Sequence, residues 1–182
     1  MNELGSILLR LARAAIAQRF GQATVTVPDL PALHQNGATF VTLTQGGQLR
    51  GCIGSLEAWR PLLVDVQENA RAAAFRDPRF NPLQSDELAH TRVEVSLLTP
   101  AEPMTFRDEA DALAQLRLEI DGVILIAGQH RATFLPQVWE QLPDPLAFMA
   151  QLKRKAGLSA DYWGPNVQLA RYGVEKWKEP LP

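Results

Sequence analysis

The chain has little of the chemistry that most often reveals what a protein does. It holds one cysteine, Cys52, and three histidines, His34, His90 and His130. A lone thiol closes no internal disulfide and excludes a zinc site of the cysteine-rich kind. The histidines stand at no spacing that implies a metal pair or a dyad, and there is no Gly-rich phosphate loop and no Gly-x-Ser-x-Gly elbow. No cofactor and no metal are therefore expected. No window offers about 18 uncharged apolar residues, so no membrane span is expected. Neither sign of charge dominates: 18 basic against 20 acidic residues leave a net charge of −2. Nucleic acid, which needs a basic footprint, is not an expected partner. The densest basic run, Lys153-Arg154-Lys155, reads as a solvated helix face. Glu3 stands where a secretory leader is basic, and Arg10 and Arg13 interrupt the apolar run that follows. A cytoplasmic location follows by elimination.

What remains is a chain of 182 residues, 46% of them hydrophobic, enough for one domain with a sizeable core. Leu4, Ile7, Leu8, Leu11, Ala15 and Ile16 recur at helical spacing, with Asn2 as N-cap and Gly21 as terminator. Residues 22–35 contain Pro28 and Pro31 and read as a loop. Residues 38–44 and 48–53 alternate around Gly46-Gly47 as a β-hairpin. A second helix is expected from Pro61 to Phe75, since proline suits a first helical turn. The run from Asp77 to Pro82 is a turn, and Ser85 to Leu88 a short capped helix. Arg92 to Leu98 alternates as a strand, with Val93, Val95 and Leu97 on one side and Glu94 and Ser96 on the other. Asp108 to Leu116 is a short helix. Val123 to Ile126 is apolar on both faces, as a central strand is. Arg131 to Leu135 returns from a turn at Gly128-Gln129. Pro145 to Ala156 is a third strong helix, capped by Asp144 and Gly157, with Leu146, Met149 and Leu152 as its buried stripe. Val167 to Tyr172 closes the list as a strand. Helices and hairpin-type strands mix without β-α-β alternation, so the expected class is α+β with an antiparallel sheet and flanking helices.

One segment stands out on physical grounds. Leu49-Arg50-Gly51-Cys52-Ile53-Gly54-Ser55 places two glycines inside a strand, where they pack poorly and lose the most backbone entropy. Such glycines mark a bulge or a close approach by another backbone or a ligand. Alternation sets Arg50 and Cys52 on one face and Gly51 and Ile53 on the other. An arginine beside a cysteine favours the reactive thiolate. A free cysteine also packs well as a small buried hydrophobe.

The same residues carry a resemblance. Leu49 to Gly54 is the six-residue signature of the AMMECR family, whose members stand in many genomes as protein A of the so-called AmmeMemoRadiSam system. The likeness runs on through Ala70 to Phe80, which resembles the family's helix and its Asp-x-Arg-Phe turn. Glu94-Val95-Ser96-Leu97-Leu98, Asp121-Gly122-Val123, Phe134 to Trp139 and Lys155-Ala156-Gly157-Leu158 match later blocks in order. Ser55-Leu56 departs mildly, since some members carry Thr-Phe. The resemblance implies an antiparallel α+β fold in two subdomains, the larger from both chain ends and the smaller from the middle, separated by a cleft that the signature strand faces. It also implies protein or peptide partners, with a Memo-like protein and a radical-SAM protein as candidates.

Two classes of function stay open. In an enzyme, Cys52 would serve as nucleophile or redox thiol and Glu94 as base. Arg50, Gly51, Gly54, Ser55, Arg79 and Ser96 would then hold a substrate. In a binding module the same residues would line a surface without chemistry. Arg50 would either anchor an anion or bond a carboxylate such as Glu94 or Asp77. Asp77 suits the task of bonding backbone N–H groups in its turn. Arg79 would pair with Asp77 or face the ligand. Residues Trp139 and Trp163 are expected in the core or at a subdomain contact, His130 in solvent, and Lys155 at a helix C-terminus whose dipole it suits.

Overall fold

The structure, a computed structural model, describes residues 2–22 and 25–180. In chain order it runs α1 (Glu3–Ala17), α2 (Pro31–His34), β1 (Asn36–Gly37), β2 (Thr39–Gln45), β3 (Gln48–Gly54), β4 (Arg60–Pro61), α3 (Leu62–Phe75), β5 (Arg92–Leu98), β6 (Glu102–Pro103), α4 (Glu109–Ala114), β7 (Gly122–Ala127), β8 (His130–Phe134), α5 (Pro145–Lys155), β9 (Val167–Tyr172) and β10 (Val174–Lys178). Short 3₁₀ turns follow α1 and precede β5 and α5. The class is α+β: the strand pairs of known register are all antiparallel. The chain divides into two compact units, Met1–Leu98 with Glu175–Pro182, and Thr99–Val174.

In the first unit, the sheet runs β10-β5-β2-β3. The hairpin β2–β3 turns on Gly46 and Gly47, whose φ of 55° and 81° suit the primed turn that matches strand twist. Helices α1 and α3 pack on each other and cover one face of the sheet. Between them Ile7, Leu8, Ile16, Val41, Leu43, Val66, Val93 and Val95 form a buried hydrophobic core. Asn2 caps α1 by accepting from the Gly5 N–H at 2.9 Å. The far end of the sheet is fastened by Arg13, which donates to both oxygens of Glu179 and to the carbonyls of Leu88 and Thr91.

In the second unit the sheet runs β6-β9-β7-β8, with α4 and α5 beside it. Strand β7 is central, as its apolar run requires. Trp139 stacks on Phe148 at 3.8 Å between ring centres and donates its indole N–H to the Asp121 carbonyl at 2.7 Å. Asp144 caps α5 through the Ala147 N–H at 2.8 Å, and Gly157 ends it at φ 82°.

Several expectations change. Residues 22–35 contain the short helix α2; Ala23 and Thr24 of that stretch lie outside the described residues. The turn near Ser85 becomes helical only at Leu88–His90. Leu146 is 64% exposed, and the buried stripe of α5 is Phe148, Met149 and Leu152. Lys153 is not solvated: it is 2% exposed, with its ammonium on the Glu109 carboxylate at 2.5 Å, on the Ala160 carbonyl, and 5.3 Å from the Trp163 ring. A buried lysine persists only when paired in this way. Strand β10 was not expected; its residues VEKWK bury only Trp177.

Candidate functional site

The signature occupies β3, an edge strand of the first sheet. Leu43 faces Gly51 and Thr44 faces Leu49, so Arg50 is the extra residue of a β-bulge. The bulge interrupts alternation at that point and aims Arg50 toward Glu87. Its guanidinium donates through Nε and Nη2 to the two Glu87 oxygens at 2.9 and 3.0 Å. Nη1 is buried with no protein acceptor. The carboxylate partner is thus Glu87, not Glu94 or Asp77. Arg50 above all, with help from the Gln84 N–H and Gln45, holds the Glu87 pKa down to about 2.

Beyond the bulge, alternation is regular. Gly51 faces α3, and an added Cβ would lie 2.2 Å from the Ala73 carbonyl oxygen. The close approach foreseen from the glycine is made by this helix backbone. Cys52 lies opposite Thr42, which is also opposite Glu94 on β5. A row Cys52–Thr42–Glu94 therefore crosses three strands on the face away from the helices. The Cys52 Sγ sits 3.2 Å from the Thr42 hydroxyl, and Glu94 pairs with Lys178 of β10 at 2.6 Å. The next row is Gly54–Phe40–Ser96. An added Cβ on Gly54 would lie 2.2 Å from the Phe40 ring and 2.6 Å from the Thr39 carbonyl.

The outer edge of β3 is occupied by the turn after α3. Asp77 accepts from the Cys52 N–H at 2.9 Å, and Arg79 donates to the Cys52 carbonyl at 3.2 Å. Asp77 and Arg79 also pair with each other at 2.7 Å. These two side chains replace the N–H and C=O of a neighbouring strand and so block the edge. Arg79, together with the backbone N–H groups of Cys52 and of Arg79 itself, drives the Asp77 carboxyl far below its ordinary range. The Phe80 ring centre is 5.9 Å from the Arg50 guanidinium carbon and 5.5 Å from that of Arg79.

Ser55 falls on the helix side. It donates to Asp65 at 2.6 Å, and the same fully buried carboxylate accepts from the Thr39 N–H, the Thr39 hydroxyl, Arg60 Nε and Asn69 Nδ2 at 2.7–3.0 Å. This cluster anchors the end of the signature strand to α3.

The AMMECR1 family model matches residues 9–177. The chain belongs to the AMMECR1 family. Protein LS215_2104 of Saccharolobus islandicus is 38% identical to it over 190 residues, spanning 100% of this chain and 84% of the relative. A protein of Methanothermobacter thermautotrophicus is 38% identical over 180 residues, spanning 96% and 94%. Among solved structures, the uncharacterized protein PH0010 from Pyrococcus horikoshii superposes with a TM-score of 0.80 at 31% identity, covering 100% of this chain and 94% of that one.

In this AMMECR1 chain, Cys52, Gly54, Glu94 and Ser96 share one face of the sheet, and Arg79 reaches its edge. Gly51 and Ser55 turn to the other face. Sequence reasoning missed Asp65, Asn69 and Glu87. A signal for the first two was present: positions 62, 65, 66, 69, 70 and 73 share one helical stripe, and two polar residues within an apolar stripe mark a buried cluster. Glu87 had no such pattern. Among the described residues no group of three or more His, Cys, Asp or Glu side chains is placed to hold a metal ion, and no helix is long and apolar enough to cross a membrane.

Proposed function

We propose that this AMMECR1 chain, acting as one domain over 1–182, is an accessory binding protein. Its recognition surface is the Cys52–Thr42–Glu94 face of the first sheet, and it works in a modification pathway beside a Memo-like and a radical-SAM protein. One observation carries this reading: the charges around Cys52 are already matched. Arg50 is taken by Glu87, Arg79 by Asp77 and Glu94 by Lys178. The Cys52 thiol meets a threonine hydroxyl, which is no general base. A surface of paired polar groups suits recognition, where rim charges give register and the partner supplies the apolar anchors.

The test is binding to the Memo-like and radical-SAM proteins of the same genome, by calorimetry. Cys52→Ser should hold affinity within about twofold, while Thr42→Arg, planted mid-row, should lower it at least about tenfold. Alkylation of the single thiol separates the alternative, an enzyme using Arg50, Cys52 and Glu94. A native labelling profile with a midpoint well below the free-thiol value of about 8.5 would overturn the binding reading.

A further inference from the structure

We infer that the outer groove between α4 and α5 is a second interaction surface, built to take a basic amphipathic helix of a partner protein. The groove is shallow and open, with about 550 Å³ of space. Its floor is apolar: Ala110, Leu113 and Ala114 of α4, with Leu146 of α5. Its polar lining consists of Glu109 and Asp144, both carboxylates, and among the described residues no cation lines it. The Lys153 ammonium, on a side chain that is 2% exposed, bonds one oxygen of Glu109 at 2.5 Å.

Two features separate this groove from ordinary surface. Leu146 is a large apolar side chain left 64% exposed at the start of a helix whose other large apolar residues, Phe148, Met149 and Leu152, are buried. Ala110 and Ala114 are exposed one turn apart, and at these two positions α4 presents only methyl groups, too short to hold off a second helix. A helix with aliphatic residues at i, i+3, i+4 and i+7 fills such a groove from one side. The rim then selects its charge. Lysines or arginines flanking the aliphatic stripe meet Asp144 and the partly exposed carboxylate of Glu109, which Lys153 holds at one oxygen, whereas an acidic helix meets like charge. Apolar burial supplies the affinity and the rim supplies the choice of partner.

The probe is a fluorescein-labelled peptide of about 14 residues, leucine at those four-spaced positions and lysine elsewhere, long enough to be helical when bound. Its counterpart carries glutamate for every lysine. Anisotropy titrations with the full chain should show the lysine peptide binding at least about tenfold more tightly than the glutamate peptide. Leu146→Ser, and separately Ala110→Gln with Ala114→Gln, should each weaken it by about tenfold or more. Val64→Ser, at a 42% exposed apolar position on α3, should leave it unchanged. All substituted positions are exposed, and circular dichroism checks that each variant folds. If Leu146→Ser fails that check, the alanine pair decides. Absent binding, equal binding of both peptides, or binding indifferent to the groove substitutions overturns the inference.

Discussion

The two faces of the first sheet are held by different physics. On the helix side, Val41, Leu43, Val93 and Val95 are fully buried, Gly51 has the Ala73 carbonyl where a Cβ would stand, and the polar inclusion around Asp65 is saturated with donors. On the other side Thr42, Cys52 and Glu94 are half-buried and held by pairwise polar contacts. The first face is fixed by volume and leaves no room for change. The second is fixed by partners that can be exchanged, which is the property a recognition surface needs.

Substitutions should grade accordingly. Asp65→Ala strands several buried donors and the Arg60 charge, and should cost about 3–5 kcal/mol in urea unfolding. A loss under about 1 kcal/mol would mean that the helix side does not depend on its polar inclusion. Gly51→Ala drives a methyl into backbone that cannot yield, for about 3 kcal/mol. Glu87→Gln sharpens the contrast through pH. The Glu87 pKa is lowered from 4.5 to about 2 in the folded chain. Its contribution is therefore fully present above pH 4.5 and is lost as pH falls toward about 2. The variant should show a shallower loss of stability over that window than the parent. Smallest of all, Glu94→Gln should change stability by no more than about 1 kcal/mol, since Lys178 on the other side of the pair is more than half exposed. A larger loss would make the outer face as constrained as the inner one.

What the sequence made legible was what neighbours in the chain decide. Asn2 and Asp144 cap helices through residues three positions on, and Gly46-Gly47 sets a hairpin by its own backbone. The apolar run Val123 to Ile126 announces a central strand without its partners. What stayed hidden depends on distant partners. Lys153 looks like a solvated lysine until Glu109 and Trp163 are placed around it. Leu146 fits the buried stripe by spacing, yet lies before the helix reaches the core. Arg50 could not be assigned to Glu87 because the bulge that aims it exists only once β2 and β3 are paired. Strand β10 has too few apolar residues to show a period. At the site itself, Cys52, Glu94 and Ser96 could be set on their faces by alternation, whereas the blocking of the β3 edge by Asp77 and Arg79 required the fold.

Strand β10 has a consequence in time. The first unit takes its fourth strand, and the Glu179 clasp on Arg13, from residues that follow the whole of Thr99–Val174. At the ribosome, at 5–20 residues per second, that intervening stretch takes about 4–15 s to make. Through those seconds β5 stands as an open edge on a three-stranded sheet, and the second sheet holds only its β7–β8 pair, since β9, which joins β6 to β7, is made just before β10. The nascent chain therefore passes through a stage in which both sheets wait on residues 167–178, and that is the stage at which a chaperone would find an edge to hold.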